Sequence, residues 1–334
     1  MRKAFTFLFS SIIILYGWLG YNLIRNQQLP SCQSSAKLSD IAEEVIAISL
    51  ETHHNCKLKQ IDLIKRDKEH IFLVSNQQLF HFHSSGKFLG VITPQGIVVT
   101  DYTIAPTHKC LIVIGTNKEV HYYDYDGQLL GKRFLPIEDS WQTFGQIAYH
   151  DNHLWATIDL VNKNLNQQTV LEQWLYKFDL NLRVVEKRKL EVADLGRINI
   201  NYSPNPKIKT YNGNIYVYAT DPQQTHILND TLYLINSKQL NITDNYSKIL
   251  PIQIGSRFLI TSSCDPIEQN YIFCYDQQQR KAYQIKNGLE DNYYMTGIIS
   301  KLQPLDLNGQ TYYYLKSNKE TDDNPILYII KMKV

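Results

Sequence analysis

The sequence has no GxSxG, no P-loop and no HExxH, so the common local signatures of acyl transfer, nucleotide phosphate binding and zinc peptidase chemistry are missing. It has no CxxC pair either. The five cysteines (Cys32, Cys56, Cys110, Cys264 and Cys274) are odd in number and irregularly spaced, which supports neither a zinc site nor a thioredoxin-like motif. There is almost no net charge: 34 basic and 32 acidic residues leave +2, no electrostatic footprint for nucleic acid or a strongly acidic partner. Glycine is modest at 15 residues, and no useful helical period follows residue 55. Tyrosine, in contrast, is abundant at 23 residues, and Asn and Gln are frequent, a composition that favours strands and turns over helices.

Residues 4–24 form a run of 21 without formal charge, preceded by Arg2 and Lys3 and followed by Arg25. A helix needs about 20 apolar residues to span a bilayer core, more than the apolar part of a cleaved signal peptide usually has. An uncleaved membrane anchor is the first expectation. A lipoprotein signal is the second: Leu29-Pro30-Ser31-Cys32 loosely resembles a lipobox with Cys32 as the lipidated residue, although Pro30 and the intervening Arg25 fit it poorly. Ordinary secretion is the third. In each case Arg2 and Lys3 stay inside and the body lies outside the cytoplasm, on the periplasmic or cell-surface side.

One strand pattern recurs six times: aliphatic, aromatic, any residue, aromatic or β-branched, then a polar turn. The copies begin at Leu79, Val120, Leu175, Leu232, Ile272 and Leu327, and they repeat every 40–57 residues. Each has a strand-like partner upstream, as in Ile71–Val74 before the first copy and Tyr312–Leu315 before the last. Both alternate faces of the recurring strand are largely apolar, as in a sheet covered on both sides. This period and content predict an all-β, six-bladed β-propeller with an N-terminal anchor helix. The expected domains are an anchor or signal segment at 1–25, a polar linker at 26–42 and the propeller at 43–334.

The stretches Val45–Thr52, Lys59–Asp62, His70–Val74 and Leu79–Leu89 resemble the opening of the six-bladed β-propeller proteins common in Bacteroidetes, relatives of the NHL-repeat propellers. The resemblance spans roughly 43–334 and is specific over the first two blades. It implies export, often as a lipoprotein. It also implies that Glu44–Leu50 closes the ring beside Ile326–Met332. Asp101-Tyr102 matches the Glu-Tyr of that family's Gly-Pro-x-Glu-Tyr-like segment, while the Gly-Pro is absent here.

Propellers usually bind ligands at one mouth of the central channel, on loops carried by a rigid ring. Asp101, Tyr102, Trp141, Arg197, Tyr202 and Tyr293 are the candidates for an aromatic and charged mouth suited to a peptide or glycan; the blander alternative for each is that it plugs the end of a blade. Cys264 and Cys274 either face each other across a hairpin as a disulfide or are two separate buried thiols. His81, His83 and His121 lack a third ligand partner, so no metal site, cofactor or catalytic residue is assigned. The expected role is a membrane-tethered module that binds or scaffolds a protein or an extracellular polymer. A metal-dependent propeller hydrolase or lactonase is the alternative.

Overall fold

The computed structural model describes residues 36–334 apart from 95, 117, 137–141, 164–168, 195–206, 212–213, 220–229, 236–239, 247–251, 255–256, 263–270, 277, 280, 285–287, 306–309 and 318–322. A short helix, α1 (Leu38–Ile41), leads into β1 (Ala42–Ser49). The first sheet holds β2 (Ile61–Asp67), β3 (His70–Ser75), β4 (Gln78–His83) and β5 (Phe88–Val91). The second holds β6 (Val99–Ala105), β7 (Cys110–Gly115), β8 (Glu119–Asp124) and β9 (Leu129–Phe134). The third holds β10 (Gln142–His150), β11 (His153–Lys163), β12 (Thr169–Phe178) and β13 (Val184–Asp194). The fourth holds β14 (Lys207–Tyr211), β15 (Asn214–Ala219), β16 (Asp230–Ile235) and β17 (Leu240–Tyr246). The fifth holds β18 (Ile252–Ile254), β19 (Phe258–Ser262), β20 (Tyr271–Asp276) and β21 (Lys281–Gln284). A hairpin of β22 (Leu289–Asp291) and β23 (Gly297–Ile299) follows. The sixth sheet takes β24 (Gln303–Pro304), β25 (Thr311–Lys316) and β26 (Ile326–Met332), with β1 as its outer strand.

Every recurring segment found in the sequence is the third strand of its sheet, paired antiparallel with the upstream partner; Phe80↔Leu73, Tyr176↔Ala156 and Tyr328↔Tyr314 are examples. The polar residue that ends a copy ties down the turn behind it. Asp124 Oδ1 accepts the N–H groups of Asp126 and Gln128, and Asp179 Oδ1 those of Asn181 and Arg183. Asp276 does the same for Gln278 and Gln279. These are turns in which a short acidic side chain replaces a backbone acceptor. Two-residue loops with positive φ, Asn76-Gln77 and Asp151-Asn152, close β3–β4 and β10–β11 in the twist that hairpins favour.

Among the described residues, packing joins the first sheet to the second, the second to the third, the fifth to the sixth and the sixth back to the first. Phe72, Val74 and Leu79 of the first sheet meet Tyr102, Leu111 and Val113 of the second. Ile112 and Ile114 of the second meet Ile147, Ala156 and Phe178 of the third. Phe258 and Cys274 of the fifth pack with Tyr312, Tyr314 and Ile330 of the sixth. Leu327, Ile329 and Tyr313 of the sixth pack with Ile64, Ile71 and Phe82 of the first. The first strands approach one another, β2 to β6, β6 to β10 and β10 to β14. The outer strands β5 and β9 are largely exposed. Sheets stacked face to face, inner strand beside inner strand, make a propeller-like all-β fold.

The expected closing strand pairs as the resemblance implied: Val45 lies opposite Ile330, and Ile48 opposite Leu327. The packed body starts earlier than the expected boundary at 43, because Ala36, Leu38, Ile41 and Ala42 are buried in the core. The apolar run 4–24 and Cys32 lie outside the described residues. Among the described residues no helix is long and apolar enough to cross a membrane. Cys274 is a free, buried thiol, and Cys264 lies outside the described residues.

Closure brings β1 hard against the first sheet at Gly86. A Cβ there would sit 2.1 Å from the Ser49 carbonyl oxygen, and the residue has φ +89°. The Gly86 carbonyl in turn accepts the Glu51 N–H at 2.9 Å. Gly86→Ala should lower unfolding stability by about 2–4 kcal/mol, while Gly90→Ala, with open space around it, should stay within about 0.5 kcal/mol. Urea midpoints of the two variants check this, and equal midpoints would show that the close approach is absent.

Candidate functional site

The inner strands carry a buried ion pair. Lys65 on β2 and Asp101 on β6 stand 3.7 Å apart, with side chains 23% and 11% exposed. The Lys65 ammonium also donates to the Tyr102 carbonyl and lies 4.9 Å from the centre of the Tyr102 ring. Asp101 accepts the N–H of Tyr102 and, across the joint with the third sheet, the N–H of Ile147, both at 2.7 Å. Two residues along, Thr103 Oγ1 accepts the N–H of Tyr149 at 3.1 Å. Asp101 and Thr103 lie on one face of β6, and Ile147 and Tyr149 are likewise alternate residues of β10. The first strand of a sheet has an open edge, and these two side chains satisfy its outward N–H groups. Burial raises the Asp101 carboxyl above its ordinary range, opposed by the Lys65 charge and the two N–H donors. Burial lowers Lys65, opposed by Asp101.

A cleft of ≈ 260 Å³ opens between the second and third sheets. Its walls include His108, Cys110, Tyr122, Leu130, Arg133 and Leu180. The Tyr122 hydroxyl donates to the Leu180 carbonyl at 3.1 Å, and Arg133 Nη2 to Asn181 Oδ1 at 2.9 Å, so the two sheets hold its rim together. Burial pushes the Cys110 thiol up to about 11 and the Tyr122 hydroxyl up to about 12, leaving both neutral near pH 7. Apolar residues on the outer strands of these two sheets face solvent: Leu129, Leu130 and Phe134 on β9, and Val184 and Val185 on β13. Phe134 is 61% exposed. The cleft is smaller than the roughly 300–1,000 Å³ of ordinary small-molecule sites, so its shape suits one or two side chains of a larger partner.

The sequence-based site residues fall into three groups. Asp101 and Tyr102 stand together, but at a three-sheet joint: Tyr102 is fully buried, and its hydroxyl donates to the Phe72 carbonyl at 2.7 Å. Tyr293 is 39% exposed, and its hydroxyl reaches the Ala42 carbonyl at 3.2 Å. Trp141, Arg197 and Tyr202 lie outside the described residues. Lys65 escaped notice because one lysine in an otherwise ordinary strand carries no spacing signal. The exposed outer strands had a faint signal in Leu129-Leu130 and Val184-Val185: neighbouring residues of a strand point to opposite faces, so one of each pair faces away from the packed side.

His81 belongs to a separate cluster in the first sheet. Its ring stacks on Phe72 at 4.6 Å, and its Nε2 lies 2.9 Å from His70 Nδ1. Burial, with a smaller contribution from the nearby His70, pushes it down to about 4. Among the described residues no group of three His, Cys, Asp or Glu side chains is placed to hold a metal ion.

The fold and joints define a propeller-like all-β protein of stacked four-stranded sheets. The chain belongs to the family described as Domain of unknown function (DUF4934), whose profile matches residues 24–246. No curated protein matches it in sequence. Among solved structures it is similar to a Bacteroides fragilis protein described as exported, at 15% identity and TM-score 0.56, covering 90% of this chain and 98% of that one. A protein of unknown function from Bacteroides caccae aligns at 15% identity and TM-score 0.40, over 72% of this chain and 85% of that one. The Cps50 (Swd1) β-propeller domain of Myceliophteria thermophila aligns at 7% identity and TM-score 0.45, over 86% and 100%. At such identities similarity speaks to fold alone.

Two measurements probe the joints. Asp101→Ala leaves Lys65 without its carboxylate and Ile147 without its acceptor, and should cost about 2–4 kcal/mol after allowing for the partial exposure of Lys65. Lys65→Met with Asp101→Asn removes both charges and keeps one acceptor oxygen, which can serve the Ile147 N–H, so it should recover part of that loss in urea unfolding. A cost below about 0.5 kcal/mol for Asp101→Ala, the range of ordinary surface substitutions, would remove the staple role. The second concerns His81. Its folded pKa of about 4 lies below its ordinary 6.5, so the unfolded chain binds the extra proton first. The stability that His81 contributes is present above about pH 6.5 and is lost as pH falls toward 4, by a total on the order of 1–3 kcal/mol. His81→Phe should flatten that part of the profile; an unchanged slope would assign the pH dependence elsewhere.

Proposed function

We propose that this chain is an exported, membrane-tethered β-propeller of six blades that acts as a binding or scaffolding module for a protein or extracellular polymer. The six four-stranded sheets, the sixth completed by β1, support the blade number. The run at 4–24 supports an anchor, with Cys32 as the alternative lipid attachment point. The description of the Bacteroides fragilis protein as exported is in keeping with this location. The exposed apolar side chains of β9, with Leu130 lining a small cleft, carry the binding role. Solvent-facing apolar groups next to a pocket sized for side chains suit a macromolecular partner. Asp101, a carboxylate on inner strand β6, is committed to Lys65 and to the Ile147 N–H, which weighs against its use in the hydrolase reading. Tyr293 stays a candidate for a mouth contact, together with Trp141, Arg197 and Tyr202.

Cross-linking in intact membranes followed by capture of the tagged chain tests the module. Wild type should retain a stoichiometric partner. Leu130→Glu with Phe134→Glu, both at exposed positions, should lose it without a change in thermal midpoint. Undiminished capture by this variant would move the binding surface away from β9.

A further inference from the structure

We propose that the β22–β23 hairpin is a second membrane contact, lying against the lipid surface beside the N-terminal tether. This rests on the tethered reading above and adds to it a defined face of the folded body.

The hairpin is fastened to the start of the fold. The Glu290 N–H donates to the Ala36 carbonyl at 3.0 Å. Asn292 both accepts the Ser39 N–H and donates to the Ser39 hydroxyl. The hydroxyls of Tyr293 and Tyr294 reach the Ala42 and Val45 carbonyls of β1. Its turn is built around one buried carboxylate: Asp291 accepts the N–H groups of Tyr293, Tyr294 and Thr296 and the hydroxyls of Thr296 and Tyr314. These bonds hold the Asp291 carboxyl below its ordinary range, against the effect of burial.

This rigid turn points apolar groups outward. Met295 is 78% exposed, and Tyr293, Tyr294, Ile298 and the neighbouring Ile46 of β1 are all between 39% and 47% exposed. Met295 is held at φ +56°, a conformation that costs a non-glycine residue of order 1 kcal/mol or more. Leu289 and Ile299 face inward and fill the core. A turn that needed only to be soluble would have no use for a strained, exposed methionine flanked by two half-exposed tyrosines. Tyrosine rings with apolar neighbours are the chemistry of the bilayer interface.

Chain connectivity selects lipid as the occupant. The apolar run ends at residue 24, and eleven residues, 25–35, separate it from Ala36. Fully extended, they reach about 40 Å at most. The hairpin bonds directly to the residues where that tether joins the body, so it belongs to the part of the fold held closest to the membrane.

The test uses the full chain in phosphatidylcholine–phosphatidylglycerol vesicles. An environment-sensitive fluorescent amino acid is placed at position 295 or, as control, at position 130. Flotation of the unsubstituted chain reads the tether separately. The inference expects emission at 295 to shift to the blue and to be quenched by doxyl-labelled lipid, with neither effect at 130. A chain that floats while position 295 stays unquenched overturns the hairpin contact and leaves the tether standing. Equal quenching at both positions overturns it too, because the body would then adhere without a preferred face. A blue shift at 295 that depends on protein concentration in lipid-free micelles assigns the face to a second copy. Failure to float removes the tether and this inference together.

Discussion

The whole architecture depends on apolar sheet faces that have no cover except the next sheet. The β7 strand Cys110–Gly115 is buried along its entire length, and β3 and β4 are buried through their centres. Such strands are unstable alone in water; the first, second and sixth sheets are held because neighbours exclude solvent from both of their sides. The same demand makes closure obligatory. If β1 did not pair with β26, the sixth sheet would lose its outer strand, and the cluster that joins it to the first sheet through Ile48, Leu327 and Phe82 would be left open.

Polar groups take their positions from that stacking. Inner strands have unpaired edges, and the structure supplies them with acceptors from the neighbouring sheet, as Asp101 and Thr103 do for β10. Lys65 is tolerated in the interior because a carboxylate, a carbonyl and a tyrosine ring surround its ammonium. Elsewhere Asn324 has a similar role: its side chain bonds the Leu58 N–H and the Glu51 and Cys56 carbonyls, tying the chain just after β1 to the stretch before β26. Of the inner-strand charges, Lys65 and Asp101 are engaged in a joint, whereas outer strand β9 and the β22–β23 turn expose apolar side chains.

Much of the fold was readable in advance because its signal is local. An aliphatic–aromatic pattern ended by Asp marks a third strand and its turn, since period two and a short acceptor side chain both act over a few residues. Asp124, Asp179 and Asp276 show this directly. The site was much less readable. Asp101 and Tyr102 were picked out by family resemblance as mouth residues, yet their partners Lys65, Phe72 and Ile147 lie 30–46 residues away along the chain. No local pattern reports which neighbour a residue meets across a joint. The exposed outer strands posed the reverse difficulty: nothing in the pattern around Leu129 and Leu130 says that both would face solvent.

The sequence by itself determined that the chain is built of repeated strands and in which order they fall, because side-chain alternation and turn chemistry act over a few bonds; that the first strand pairs with the last was implied by the family resemblance alone. Only the tertiary structure decided that Asp101 bonds across a joint, that Ala36–Ala42 packs with the body, and that Met295 is exposed. Those outcomes turn on which surfaces are removed from water, and that is a property of neighbouring sheets that no single strand carries.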